Sequence, residues 1–586
     1  MSGRIDGLAL PLKVLESPSP DARLDSTLKK NVQARISNPV SGLSLRSFPS
    51  ISLCELCVHL YVPLQNRSYP NTVAHPCQHF AMRSTFHAVC SLLVFTGTLT
   101  AASLPSLAQL PSAPAPTLSV AFNAKLDSAE QQGRTIAYTS ARLLTAAEPA
   151  IDNGVLIVRA GKVTFAGAAA NATIPADALL IDCAGKVIMP GLVDTHSHVG
   201  GVAGADGSAT IQPDVRVYDS VNLNDPGFRR ASAGGLTTIN LMPGSGHLLS
   251  GQTVYIKNRR IPGTPFGTAN HAARIEDLAF KFPDGSPAGG MKMANGTNPM
   301  RDPPFAATRG KAAALVRQSF IKAQEYQTKI AEALKPADPA NPAANPAGGV
   351  QDPTGSKLPP RDLAMEGLVD ALTGKRIVQH HTHRADDIMT VLRLAEEFNF
   401  KVVLHHVSEA WVVADEIAAA QTAGRTLGCS AILVDSPGGK LEASQMRYEN
   451  AAILHKAGVR VALHTDDYIT DSRYLLRMAA LAVRAGLPPD TAIEAVTING
   501  AIMLGLESRI GSLVAGKDAD FVILSGDPLS IYTKIERTFV DGRCVFDLAD
   551  PSDRLYAVGG QGAGTDSTPY LCCQESDVWT WRSGAR

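Results

Sequence analysis

Apolar residues fall in short unbroken runs through the middle of this chain, and four of those runs end in histidine or aspartate. The run 187–193 leads into Asp194-Thr195-His196-Ser197-His198. Ile377-Val378-Gln379 leads into His380-His381-Thr382-His383, and Val402-Val403-Leu404 into His405-His406. The run 459–463 ends in His464-Thr465-Asp466-Asp467. Short apolar runs without helical periodicity predict strands buried on both faces. Helical patterns separate them at 309–334, 386–398 and 472–485, the second placing Ile388, Val391, Leu392, Leu394 and Ala395 on or near one face. Strands alternating with helices predict a parallel α/β core. Residues 234–242 and 290–294 add two further strand patterns, and 335–361 is a stretch too rich in Pro, Ala, Asn and Gly to pack, read as a surface loop.

On either side of this region the pattern changes to short strands with turns. They are predicted at 136–139, 154–158, 162–165 and 179–182, and again at 520–524 and 538–546. Residues i and i+2 of a strand face the same way, so His196 and His198 aim two imidazoles at one point, a metal-binding geometry. Polar ends of several parallel strands converge at the C-terminal mouth of a (β/α)₈ barrel.

The pieces Pro190-Gly-Leu-Val-Asp-Thr-His-Ser-His198, His381-Thr-His-Arg-Ala-Asp-Asp-Ile388, His464-Thr-Asp-Asp467 and Gly511-Ser-Leu-Val-Ala-Gly-Lys-Asp-Ala-Asp-Phe521 stand in one order across roughly 135–550. In sequence and order they resemble the metal-dependent amidohydrolase superfamily, in its imidazolonepropionase-like and periplasmic branches. The resemblance implies an α/β fold, a (β/α)₈ TIM-like barrel carrying a small β-sandwich built from both flanking segments. With the residue pattern outside it, this divides the chain into 1–81, a poorly structured extension, native only if translation starts at Met1; 82–108, a signal peptide; 109–134, a linker; 135–189 and 509–550, the two parts of the sandwich; 190–508, the barrel; and 551–586, a tail.

The same resemblance implies a divalent metal, Zn²⁺ first with Mn²⁺ or Fe²⁺ as alternatives, in one or two copies. His196 and His198 would hold one ion, His381 and His406 a second, and Asp466 would complete the set. His383 shares the strand face of His381 and His405 adjoins His406, so each is an alternative ligand; with His381 chosen, His383 lies beside the substrate as a catalytic residue. Lys292 in Gly290-Met-Lys-Met-Ala294 is the candidate for the bridging position, because a carboxylated lysine presents two oxygens. Related branches carry Glu near position 297, where this chain reads Gly296-Thr297-Asn298. Metal activation makes water a nucleophile near neutral pH, and Asp466 would carry its proton to the leaving nitrogen. His464 is expected one layer deeper than Asp466, Asp467 as a structural hydrogen-bonding partner, and His247 and Gln252 in a Gly-rich loop near substrate.

Composition narrows the partners. The 586 residues carry 54 basic and 54 acidic side chains, which gives no electrostatic case for nucleic acid or anionic membrane and leaves a small-molecule substrate, with a homo-oligomer open. Nine scattered cysteines do not form a disulfide framework, and Cys183, Cys429 and Cys544 are expected to pack as small apolar side chains. The apolar run 88–102 after Met82-Arg83, closed by Ser106-Leu107-Ala108, has signal-peptide form and is too short for stable membrane insertion. It predicts a periplasmic or secreted protein if translation starts at Met82, and a cytoplasmic one if 1–81 is genuine. Cys54, Cys57, His59, His75, Cys77 and His79 offer an irregularly spaced zinc site in that extension. The leading expectation is hydrolysis of a C–N bond in an amide, cyclic amide or dipeptide-like molecule. Ester or phosphoester hydrolysis on the same barrel, and a non-catalytic binding protein, are the alternatives.

Overall fold

The computed structural model describes residues 116–201, 206–259, 274–303, 305–335, 358–433, 440–467 and 469–559. All of these belong to the unit Ser106–Arg586. The extension 1–81, the segment 82–108, most of the Pro-rich stretch and the end of the tail lie outside the described residues.

Among the described residues seventeen strands follow one another. They are β1 (Ile136–Leu143), β2 (Ile151–Arg159), β3 (Lys162–Ala168), β4 (Leu179–Asp182), β5 (Val187–Pro190), β6 (Leu192–Ser197), β7 (Leu236–Leu241), β8 (Leu249–Gln252) and β9 (Val254–Lys257). Then come β10 (Met291–Ala294), β11 (Val378–Thr382), β12 (Val402–His406), β13 (Thr426–Ala431), β14 (Val461–Leu463), β15 (Phe521–Leu524), β16 (Ile535–Val540) and β17 (Arg543–Asp547).

The two flanks predicted from sequence join in one eight-stranded sheet of order β17-β16-β15-β5-β1-β2-β3, with β4 against β1. The seam is the antiparallel pair β5–β15, in which Ile188 faces Ile523 and Pro190 faces Phe521. Aromatic rings close the layer: Phe521 and Phe539 stack with centroids 4.3 Å apart, and Tyr138 meets Phe521 edge-on at 5.0 Å. The helix Pro116–Gln131 occupies the segment that the sequence reads as a linker. Its run of Leu, Ala and Lys favours helix once Pro116 has fixed the first turn, and its buried Leu126 and Ala129 join the cluster under this sheet. Asn123 donates to Asp547 at 3.0 Å.

The predicted parallel core is present as two sheets, β14-β13-β12-β11-β10-β8 and β6-β7-β9. β10 to β14 run parallel, in register from Ala294 to His381 to His405 and from Thr382 to His406. Every residue of β6, β7, β10, β11 and β12 is buried, as expected for strands covered on both faces. One departure from regular β/α alternation stands between β7 and β10. There β8 and β9 run antiparallel to β10 and β7, respectively, because only Thr253 separates them and no crossover helix fits. Outer helices cover the strands, and Ala385–Phe398 buries Ile388, Val391, Leu392, Leu394, Ala395 and Phe398 before Asn399 stops it in the left-handed conformation. The pattern expected over 472–485 resolves into a 3₁₀ turn, Ser472–Tyr474, followed by the helix Leu475–Arg484. Among the described residues no helix is long and apolar enough to cross a membrane.

Candidate metal centre

The buried strand β6 delivers His196 and His198 to one point, as their spacing dictates. Their Nε2 atoms lie 3.3 Å apart, and Asp466 Oδ1 lies 3.3 Å from the first and 3.0 Å from the second. Backbone bonds from Asp466 N to the His196 carbonyl, 2.9 Å, and from His198 N to the Asp467 carbonyl, 3.1 Å, tie β6 to the segment after β14. Asp194 reinforces the junction by accepting from the backbone nitrogens of His196 and Thr465, both at 3.2 Å, and from the Thr465 hydroxyl. Burial pushes the Asp194 carboxyl up to about 7 despite those bonds.

A second group forms beside the first. Nitrogens of His381, His383 and His406 lie within 4.8 Å of one another, as do those of His196, His406 and His464. His464 shares the parity of Asp466 but is not set apart a layer deeper, as its place two residues earlier suggests; its Nε2 reaches His406 Nδ1 at 3.1 Å and its ring stacks on His196 with centroids 5.0 Å apart. The backbone leaves the extended conformation here, with φ of 68° at His406 and 51° at Asp466, so strand parity no longer sets direction. The choice between the adjacent histidines is geometric: His405 Nε2 bonds Gln379 Oε1 at 2.7 Å, whereas His406 Nδ1 lies 3.7 Å from Asp466 Oδ2. Asp467 accepts from the backbone nitrogen and hydroxyl of Ser472 at 2.9 and 2.5 Å, a structural partner as its position after Asp466 implies.

Lys292 is fully buried on β10, its Nζ 3.2 Å from His196 Nε2 and 3.0 Å from Met242 Sδ. Sequence reasoning missed Lys440, whose Nζ lies 3.3 Å from His381 Nε2 and 3.0 Å from His383 Nε2, and Glu442, 3.0 Å from that ammonium. No strand pattern announces either residue. The Glu442 carboxylate also accepts from Thr297 N at 2.8 Å, so a carboxylate from a distant segment lies where Gly296-Thr297-Asn298 lacks its own. His247 is buried after β7 against the ring of Phe305, with no hydrogen-bond partner for either ring nitrogen among the described residues. Gln252 instead donates to the Pro213 carbonyl at 3.0 Å, a structural bond.

Burial holds His196, His381, His383, His405 and His406 well below the usual histidine range, and neighbouring Lys292, Lys440 and imidazoles reinforce it. His464 falls to about 3, again through burial. Burial opposes the charge of Asp466, yet the bond from His198 and the charges of His198, His464 and Lys292 outweigh it and hold the carboxyl below its ordinary range. Burial thus favours the neutral form of His196, His381, His383, His405, His406 and His464 around one carboxylate. His198 Nδ1 lies 2.8 Å from the Met242 carbonyl and must donate to it, which turns Nε2 toward His196 Nε2 and Asp466 Oδ1. The buried Nδ1 of His196 and of His381 and the Nε2 of His406 have no hydrogen-bond partner among the described residues. Converging lone pairs with a carboxylate fit a divalent cation better than they fit one another.

Comparison with known proteins agrees. The model of the amidohydrolase family matches residues 371–545. Amidohydrolase tasK of Hapsidospora irregularis is 28% identical over 386 residues, covering 64% of this chain and 38% of its own length. The imidazolonepropionase of Brucella anthropi is 26% identical over 417 residues, 66% of this chain and 91% of the relative. In structure, the chain is similar to an amidohydrolase from Thermotoga maritima MSB8, at 30% identity and a TM-score of 0.59, covering 70% of this chain and all of that one. With His-x-His, the later strand-end histidines and the aspartate gathered at one point, the chain belongs to the amidohydrolase family, with imidazolonepropionases among its relatives.

Proposed function

We propose that this protein is a metal-dependent hydrolase that cleaves a C–N bond in a small amide, cyclic amide or dipeptide-like molecule. The observation that carries the reading is the convergence of His196 Nε2, His198 Nε2 and Asp466 Oδ1 in a buried pocket. His196, His198, Asp466, His381 and His406 would hold the metal, with Lys292 joining them only if its amine is carboxylated, since an ammonium cannot ligate a cation. Zn²⁺ suits this donor set, as do Mn²⁺ and Fe²⁺. A bound divalent ion supplies a lowered water pKa and a polarised substrate carbonyl. The rest falls to the chain. Asp466, ionised in its imidazole surroundings, takes the proton of the attacking water and returns it to the leaving nitrogen. His198 is held in one tautomer by the Met242 carbonyl, and His383, oriented by Ser408 Oγ at 2.7 Å, stands beside the substrate.

This reading includes the architecture. The strands β6 to β14 are taken as a closed barrel over 190–508, on the strength of the backbone bonds between β6 and the 466–467 segment. The sheet from 135–189 and 509–550 is its sandwich-like companion. Strand-end side chains then line the C-terminal mouth, where such barrels carry their chemistry.

The test is metal content and a substrate panel. Protein reconstituted with zinc or manganese should retain at least about one ion per chain. It should turn over amides or cyclic amides in preference to carboxylic and phosphoric esters. Retention below about a tenth of an ion per chain overturns the metal dependence, and turnover of esters alone overturns the C–N specificity.

A further inference from the structure

Lys440 Nζ sits at the point where a second cation would be ligated. It lies 3.3 Å from His381 Nε2, 3.0 Å from His383 Nε2 and 3.0 Å from Glu442 Oε1. Those are two imidazole acceptors and one carboxylate ion-pair partner around a single ammonium. His383 is prepared for that role, because its Nδ1 is engaged by Ser408 Oγ at 2.7 Å and its Nε2 is turned toward the lysine.

The ammonium is anchored. Glu442, buried two residues along, is fixed by Thr297 N at 2.8 Å and faces the Arg309 guanidinium at 3.9 Å. A Cβ at Gly296 would collide with the Glu442 carboxylate, so glycine at that place leaves it the room it occupies. His381 Nε2 lies 4.0 Å from the same carboxylate. Two imidazoles and a carboxylate therefore already surround one positive charge, and a divalent ion on the same nitrogens would have to displace it.

We propose that Lys440 fills the second cation position with its own ammonium, so that the centre takes one divalent ion, at His196, His198 and Asp466. This rests on the metal-hydrolase reading, decides the number of ions that reading leaves at one or two, and withdraws His381 and His406 from the wild-type ligand set given there. Removing the ammonium opens the second position, because the nitrogens of His381, His383 and His406 remain within 4.8 Å of one another, with Glu442 beside them.

The experiment measures metal per folded chain, by plasma mass spectrometry, on full-length protein equilibrated with zinc and freed of excess. Wild type should hold about one ion, and Lys440→Met about two, the usual count for paired sites. Loaded with manganese, Lys440→Met should show the spin-coupled resonance of a close ion pair, and wild type that of an isolated ion. Lys440→Gln, which keeps a polar head, serves if the Met variant misfolds. Two ions in wild type, or one ion in a folded Lys440 variant, overturns the proposal and leaves the hydrolase reading standing. Wild type with none overturns the metal reading itself, and the lysine's role with it.

Discussion

Lys257 and Lys292 are both fully buried, both near the ends of core strands, and they are treated in opposite ways. Lys257, closing β9, meets three carboxylates: Asp518 at 2.6 Å, Asp520 at 3.2 Å, and Asp541. Burial opposes its charge, but Asp520, Asp541 and Asp518 outweigh burial and raise its pKa. Asp518 in turn accepts Lys162 at 2.5 Å and Arg509 at 2.8 Å, so the network fastens β9 to the flanking sheet. Lys292 faces the His196 imidazole and the Met242 thioether, and its charge helps to hold Asp466 ionised. One lysine completes a neutralised structural network; the other stands among groups arranged for chemistry. A buried charge by itself does not separate the two roles, whereas the identity of its neighbours does.

The largest expected effect lies on the chemical side. Asp466→Asn keeps the shape of the side chain but cannot carry a proton, so turnover should fall by about 10² to 10⁴ while the thermal midpoint stays near that of wild type. Near-normal turnover in a metal-replete variant would remove Asp466 from the reaction. Next comes the structural lysine. Lys257→Met leaves carboxylates buried without their partner and should destabilise by about 3 to 5 kcal/mol in denaturant unfolding. Lys292→Met replaces a charge that faces imidazole and thioether with a side chain of similar length. Its unfolding free energy should fall by less than that of Lys257→Met, which strips a partner from three carboxylates, while metal content or turnover drops. Equal stability losses in the two variants would erase the contrast.

A smaller effect should appear with pH. Burial, assisted by Asp541, raises Asp520 to about 6 although Lys257 opposes it. A carboxyl whose folded pKa lies above its unfolded value favours the fold when protonated. Its contribution is full below about 4, its unfolded value, and is lost as pH rises through about 6. Asp520→Asn should flatten that part of the stability profile between about pH 4 and 7, as read from unfolding midpoints; an unchanged slope would assign it to other groups.

The difference between the lysines also marks what the sequence could disclose. His196, His198 and Asp466 were legible because apolar strands ending in polar residues carry both location and direction. The helix Ala385–Phe398 was legible through its apolar stripe. Direction failed at His405 and His406, where a positive φ breaks the alternation on which it depends, and at His464, whose ring joins the cluster instead of lying beneath it. Glu442 lies in a three-residue 3₁₀ turn, Leu441–Ala443, with Lys440 at its start, too short to show a period. The acidic network around Lys257 joins residues from β9, from before β15 and from the turn between β16 and β17, a proximity that no local pattern encodes. The helix Pro116–Gln131 was hidden by the Pro-rich stretch before it.

The β5–β15 seam has a consequence for how the chain is made. Strand β5 leaves the ribosome long before its partner, because the whole segment carrying β6 to β14 is encoded between Ile188 and Ile523. At roughly 5 to 20 residues per second, the β5 edge waits on the order of tens of seconds for β15. During that interval an apolar strand with unpaired backbone groups is open to wrong partners. Synthesis therefore imposes an order: the two sheets of β6 to β14 can assemble first, and the eight-stranded sheet is completed last, by the final three of the described strands to emerge. A ribosome stalled ahead of Phe521 would hold a chain with every proposed metal ligand already synthesised and the β5 edge still bare.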